Sequence, residues 1–217
     1  MRSILFLFIS LISLNFAKVE DLITAQYPDK LIYEGNVYDV HTNPLEPYFE
    51  KHLDKKPEQV SSALWRGYVA HFEIIENQLL VTDITTPVYE ENGEMKWVSI
   101  YTDIFPNTEN VVIDWYSGIL TLPYGEVVNY VHQGYASTYS NYNLLEIENG
   151  CFTEARNLDY KQFITFKKNQ FLAFEKTKTY NELFNKLKNN STQKEAVATK
   201  SYISDFILQY TSQFLVE

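Results

Sequence analysis

The feature that most constrains this chain is a succession of short apolar and aromatic runs, each closed by residues suited to a tight turn. Residues 31–33 and 37–40 flank Glu34-Gly35-Asn36, residues 63–75 and 79–85 flank Asn77-Gln78, and residues 144–147 and 151–153 flank Glu148-Asn149-Gly150. Asn and Gly tolerate the positive φ that two-residue hairpin turns require, while β-branched and aromatic side chains fit a pleated surface. Asn92-Gly93 is the strongest such turn signal in the chain. Residues 111–115, 119–122 and 127–131 add three candidate strands, separated by Ser117-Gly118 and by Pro123-Tyr124-Gly125. Short strands joined in this way predict an antiparallel sheet that is strongly curved or forms a partial barrel. Residues 45–53 fit a short helix after Pro44. Residues 97–105 fit either a strand or a short helix that packs Val98, Tyr101 and Phe105.

The pattern changes after Asn157. Residues 159–190 hold neither Gly nor Pro, and Tyr160, Phe163, Ile164, Phe171 and Phe174 recur near helical spacing. Thr179 followed by Glu182 reads as a capping box, in which the hydroxyl and the carboxylate satisfy free N–H groups at a helix start. Ala196, Ile203, Ile207, Tyr210 and Phe214 form the stripe of a final amphipathic helix. The expected fold is α+β: a curved antiparallel β-sheet or partial barrel with a helical C-terminal region packed on it. One domain is expected over residues 18–217, with a β-rich body at 18–158 and the helical region at 159–217.

Residues 1–17 read as a cleavable export signal. Arg2 precedes an apolar run over residues 4–14, Ala17 offers a small residue for cleavage, and Lys18-Val19-Glu20-Asp21 turns polar. The run is too short for a stable spanning helix, which needs about 20 residues, and no later segment is apolar enough to cross a bilayer. The expectation is a periplasmic or secreted protein with no stable membrane insertion after signal removal. Cys151 is the only cysteine, so no internal disulfide can form. The formal charge of −10 argues against a nucleic-acid partner, because phosphate binding draws on clustered cations. Charge is also split: residues 1–160 carry 9 basic and 23 acidic side chains, and residues 161–217 carry 9 lysines and 5 acids. Either the basic tail packs against the acidic body, or it offers a basic surface to an anionic partner.

Two stretches stand out as candidate sites. The first is an aromatic, glycine-punctuated ribbon that holds Asp114, Trp115 and Tyr116, then His132 and Tyr135, then Tyr139 and Tyr142. Tyrosine rings with polar tips suit a surface that is partly apolar and partly wet, and on a strand Tyr135 and Tyr139 would share a face. The same rings would equally pack between sheet and helices. The second is Ala63-Leu64-Trp65-Arg66-Gly67-Tyr68, where Gly67 marks a bulge or the close approach of another backbone. Arg66 is then an inward-pointing anion ligand, or half of an ion pair with Asp83 or Asp114.

Catalytic and metal motifs are weak. The four histidines, His41, His52, His71 and His132, have no ligand spacing, and no cofactor is implied. His132 with Asp114 and Ser117 or Ser137 could form a nucleophilic triad, but no nucleophile elbow accompanies it. Cys151 reads as a small buried side chain at a strand start. Glu90-Glu91 and Glu146/Glu148 read as solvated.

Ser62-Ala63-Leu64-Trp65-Arg66-Gly67-Tyr68, Trp115-Tyr116-Ser117-Gly118 and Val131-His132-Gln133-Gly134-Tyr135 resemble the recurring marks of an uncharacterised family of bacterial proteins. Tyr33-Glu34-Gly35 and Thr42-Asn43-Pro44-Leu45-Glu46 precede them. The likeness covers roughly residues 30–155 and implies a bacterial origin without bringing an activity. The functional expectation is an exported non-catalytic binding or immunity-type protein with a protein or glycan partner. The alternative is an exported hydrolase of cell-wall or polysaccharide substrates, centred on Asp114, His132 and Arg66.

Overall fold

The computed structural model describes residues 24–188 and 193–217; the leader expected over residues 1–17 lies outside the described residues. The chain opens with the hairpin β1 (Asp29–Tyr33) and β2 (Asn36–Val40), followed by α1 (Glu46–Lys51). Then come β3 (Val69–Ile75), β4 (Gln78–Tyr89), β5 (Met95–Ser99), α2 (Tyr101–Ile104) and β6 (Val111–Val112). The long strands β7 (Gly118–Asn129), β8 (Thr138–Glu148) and β9 (Cys151–Asp159) complete the sheet. The helices α3 (Tyr160–Phe174), α4 (Lys178–Leu187), α5 (Gln193–Asp205) and α6 (Ile207–Tyr210) follow.

The 9-stranded sheet runs β2-β1-β3-β4-β9-β8-β7, with β5 and β6 both paired to β4. Every pairing is antiparallel except β1 with β3, which is parallel and is reached through α1 and a long irregular connection. The protein is thus α+β, with a curved mixed sheet and the C-terminal helices packed on it. The sheet curls until its two edges nearly meet. Beyond β2 the His41 N–H donates to the Thr121 carbonyl of β7 at 2.8 Å, but no ladder joins the two strands among the described residues, and the sheet stays open.

Strand alternation divides the apolar side chains between two cores. Leu120 and Leu122 of β7 and Leu145 and Ile147 of β8 point into the curl, beside Leu31, Phe72 and Val81. Ile119, Tyr142 and Leu144 point outward, where they meet Phe163, Phe166, Phe171, Ile203 and Ile207 of the helices. The joint is tightest at Tyr142, whose ring stacks on Phe163 at 3.7 Å with an interplanar angle of 10°. Burying each such side chain contributes about 1.5–3 kcal/mol. α3 begins at a reciprocal capping box: Gln162 N–H donates to Asp159 Oδ1 (2.8 Å), and Asp159 N–H donates to Gln162 Oε1 (2.9 Å).

Several local expectations shift. The helix start expected at Thr179 falls two residues earlier. Thr177 holds the extended backbone a cap needs (φ −91°, ψ 158°), and its hydroxyl accepts from Tyr180 N–H. Residues 97–105 are both of the expected forms in turn, the end of β5 and then α2. Residues 63–68 are not strand; β3 begins only at Val69. Pro123-Tyr124-Gly125 does not break the chain, since β7 runs through it. As the last strand of the sheet, β7 tolerates a residue with no N–H, and Gly125, at φ +80°, sits where the β7–β8 register slips.

Candidate functional site

Three stretches far apart in sequence meet at the first described residues. Gln26 N–H donates to the Gly134 carbonyl, Gly134 N–H donates to Thr24, and Tyr27 N–H donates to Ala63. Residues 24–27 are therefore held between the loops around 63 and 134. From there Asp29 enters β1 with its carboxylate fully buried, and it meets Arg66, which is 1% exposed.

Arg66 organises the interior of this region. Its Nη1 donates to Asp29 Oδ2 at 2.7 Å, while its Nη2 donates to the Tyr27 carbonyl at 2.8 Å and to Tyr135 Oη at 3.3 Å. Asp29 Oδ1 accepts from Ala70 N–H at 2.8 Å. The guanidinium lies over the Tyr68 ring, 5.0 Å from its centroid. Tyr68 donates to Glu46 Oε1 (2.9 Å), and Lys56 pairs with Glu46 Oε2 (2.7 Å). Tyr135 Oη lies 3.3 Å from Asn43 Oδ1. A buried charge is tolerated when it is paired and hydrogen-bonded, and here Asp29, the Tyr27 carbonyl and the Tyr135 hydroxyl take three of the five guanidinium N–H groups. Burial by itself would lower the Arg66 pKa, but Asp29, Tyr135 and Tyr68 more than offset that and hold it above its ordinary value. Burial pushes the Asp29 carboxyl up, against the pull of Arg66 and the Ala70 N–H. Burial likewise raises the Tyr68 and Tyr135 hydroxyls.

Gly67 follows Arg66 because nothing larger fits. Its φ is +80°, and a Cβ there would stand 2.1 Å from the Glu58 carbonyl oxygen. The close approach of another backbone expected at this glycine is present.

On the other side of Tyr135 sits His41. The two rings stack with centroids 4.7 Å apart and planes 16° apart, and Tyr139 meets His41 edge-on at 5.6 Å. Burial lowers the His41 pKa to about 4; Asp39 pulls it up and Lys30 pushes it further down.

Above this network the surface is aromatic. Tyr27 is 47% exposed and Trp65 is 39% exposed, and both are carried on backbone that Arg66 and Gln26 hold. The Gln26 amide donates to the Ser62 carbonyl (2.6 Å), and its oxygen lies 3.4 Å from Trp65 N. Lys56 Nζ stands 5.4 Å over the Trp65 ring. Tyr27 meets Trp97 of β5 edge-on at 5.8 Å. Trp97 pairs with Pro87 and Met95 pairs with Tyr89, so these four share one face of the β4–β5 hairpin. Tyr89 is 62% exposed, and Glu90, Glu91 and Glu94 lie exposed at the tip.

The residues singled out in the sequence part company here. Trp65, Arg66, Tyr135 and Tyr139 converge. Trp115 and Tyr116 belong to the inner core: the Trp115 indole donates to the Pro44 carbonyl and packs on Tyr48, and the Tyr116 hydroxyl lies against Gly118. Asp114 is exposed before β7 begins. His132 is exposed after β7 ends, its Nδ1 2.7 Å from Tyr130 Oη. The whole of β7 lies between them, about 36 Å along a 12-residue strand at ~3.3 Å per residue.

The ion pair of Arg66 is with Asp29, not with Asp83 or Asp114. Asp83 instead accepts from Ile84 N–H and from the Ser99 hydroxyl. Cys151 is exposed rather than buried, because β9 begins at a turn corner. Sequence reasoning missed Asp29, His41 and Trp97. An arginine inside an apolar stretch signals the need for a carboxylate, but 23 acids over residues 1–160 offered no way to choose one.

A depression of about 410 Å³ opens beside α2, lined by Asp54, Lys55, Glu58, Asp103 and Ile104 among others, and neither Arg66, Asp114 nor His132 reaches it. Among the described residues no three His, Cys, Asp or Glu side chains are placed to share a metal ion. No family model matches the chain, and comparison with curated proteins and with solved structures likewise finds no match.

Proposed function

We propose that this chain is an exported, non-catalytic binding protein of the immunity type, holding a protein partner at the surface formed by Tyr27, Trp65 and Trp97. The observation that carries the reading is the coupling of exposed rings to a fully buried ion pair. Arg66 bonds the carbonyl of Tyr27 and directly follows Trp65, so both aromatic residues stand on backbone that is already ordered. Preformed aromatic anchors lose little conformational freedom on binding, and such residues dominate interface energetics. The surrounding charge favours a basic partner. The body is acidic, and the hairpin beside Trp97 ends in Glu90, Glu91 and Glu94, a field that steers a cationic protein inward. The hydrolase alternative needs Asp114, His132 and Arg66 in one site, but Asp114 and His132 stand beyond opposite ends of β7 and Arg66 is buried.

The test is photo-crosslinking from a reactive phenylalanine analogue at position 65 or 97 in cells, with position 37 on the β2 edge as the comparison. The captured protein is then purified and its affinity measured directly. Trp65→Ala and Tyr27→Ala are each expected to weaken binding by about 2 kcal/mol, some 30-fold, with the far-ultraviolet circular dichroism unchanged. Equal crosslinking from position 37, or full affinity in the double variant, would refute the assignment. A glycan bound through Trp65 with no protein captured would refute it too.

A further inference from the structure

Among the described residues, three lysines of the helical region, Lys161, Lys168 and Lys176, are not spent on the acidic body. The faces of α3 that meet the sheet are apolar, built from Phe163, Phe166, Phe171 and Phe174. The opposite face, read at steps of three and four residues, runs Lys161, Ile164, Lys168, Leu172 and on to Lys176 just past the helix end. Ile164 is 44% and Leu172 is 45% exposed. Between the Asp159 cap and Glu175 the helix carries no acid, and Glu175 is taken by Lys200. Among the described residues Lys161, Lys168 and Lys176 have no ion-pair partner and no side-chain hydrogen bond.

We propose that this face of α3 adsorbs to the surface of an anionic lipid bilayer. A helix lying in a membrane interface presents cations to the headgroups and apolar side chains to the acyl boundary. Lysines alternating with Ile164 and Leu172 along one 15-residue helix supply both. A soluble polyanion would use the lysines but leave the two apolar side chains in water. The acidic body is no obstacle, because it lies behind the helix. A helix is about 10 Å across, and that is about one Debye length at physiological salt. Contact is with the surface only, since no described helix is long and apolar enough to cross a membrane. The face is separate from Trp65 and Tyr27, so the two proposals stand or fall independently.

The experiment is co-sedimentation of the full mature chain with vesicles of phosphatidylcholine alone, or of phosphatidylcholine mixed with phosphatidylglycerol. Binding to the mixed vesicles only, lost on raising the salt, is expected. The triple variant Lys161→Glu, Lys168→Glu, Lys176→Glu alters exposed positions only and is expected to lose at least tenfold in binding, with its melting temperature nearly unchanged. Ile164→Ser with Leu172→Ser is expected to lose severalfold, and Trp65→Ala to lose nothing. No binding to the mixed vesicles, equal binding to both compositions, or indifference to the lysine variant would overturn the proposal. Competition by soluble polyglutamate together with indifference to the Ile164 and Leu172 changes would overturn it in favour of an acidic polypeptide.

Discussion

Mild acid should destabilise this protein through His41. In the folded chain burial holds the imidazole near a pKa of about 4, against an ordinary 6.5. Asp39 and Lys30 act on it with opposite signs, and the Tyr135 and Tyr139 rings face it. Below 6.5 the unfolded chain takes up a proton that the folded chain refuses. The stability contributed by neutral His41 is therefore complete above 6.5 and is lost as pH falls toward 4. Over the full window of about 2.5 units this amounts to roughly 3 kcal/mol, of which about 2 kcal/mol is gone by pH 5. The backbone of His41 also bonds Thr121 across the gap between the sheet edges, so the cost of protonation falls where the two edges approach.

The assay is urea denaturation of the wild-type chain and of His41→Phe, at pH near 7.5 and near 5. Phenylalanine preserves ring stacking but cannot take a proton. With a slope of about 2 kcal/mol per molar urea, the wild-type midpoint should fall by about 1 M more than that of the variant between the two pH values. Carboxylates such as Asp29 and Glu50, whose pKa values burial raises, act in both proteins and cancel in the difference. Equal losses in the two proteins, or a His41 proton resonance titrating near 6.5, would refute the reasoning.

Other perturbations read the same architecture. Arg66→Met leaves the Asp29 carboxylate buried and unpaired and should cost about 3–5 kcal/mol by urea denaturation, with much of the loss recovered by adding Asp29→Leu. Gly67→Ala places a methyl against the Glu58 carbonyl at positive φ and should destabilise by more than about 1 kcal/mol; a stability gain would show that the 58–67 contact is wrong. Phe163→Ala removes the ring stacked on Tyr142 and should cost about 3–5 kcal/mol, with loss of near-ultraviolet signal from the helical joint.

The turn chemistry was legible without any tertiary context. The hairpin corners fall at Glu34-Gly35, Glu76-Asn77, Gly93 and Asn149-Gly150, all with positive φ, at or within a residue of the expected places. At Gly35, Asn77, Gly93 and Asn149-Gly150 the residue itself tolerates that conformation, and Glu34 and Glu76 are carried into it by the neighbouring Gly or Asn of the turn. The change to helix near 159 was readable for a similar reason, since the Asp159–Gln162 cap and the phenylalanine spacing are local. Cap position was less secure: Thr177 and Thr179 are chemically alike, and only the path of the chain out of α3 chooses between them.

The amino-acid sequence alone was enough to place the hairpin turns at Glu34-Gly35, Asn77, Gly93 and Asn149-Gly150 and to divide the sheet from the helices near residue 159. Periodicity and turn preference act within a few residues and need no partner. Long-range packing chose the parallel pairing of β1 with β3, the curl without closure, the passage of β7 through Pro123-Tyr124-Gly125 and the meeting of Arg66 with Asp29. It also decided that Tyr135 and Tyr139 close on His41 and that Trp97 joins Tyr27. Each of these depends on contacts between residues tens of positions apart, where many carboxylates and many rings compete and shape complementarity makes the selection.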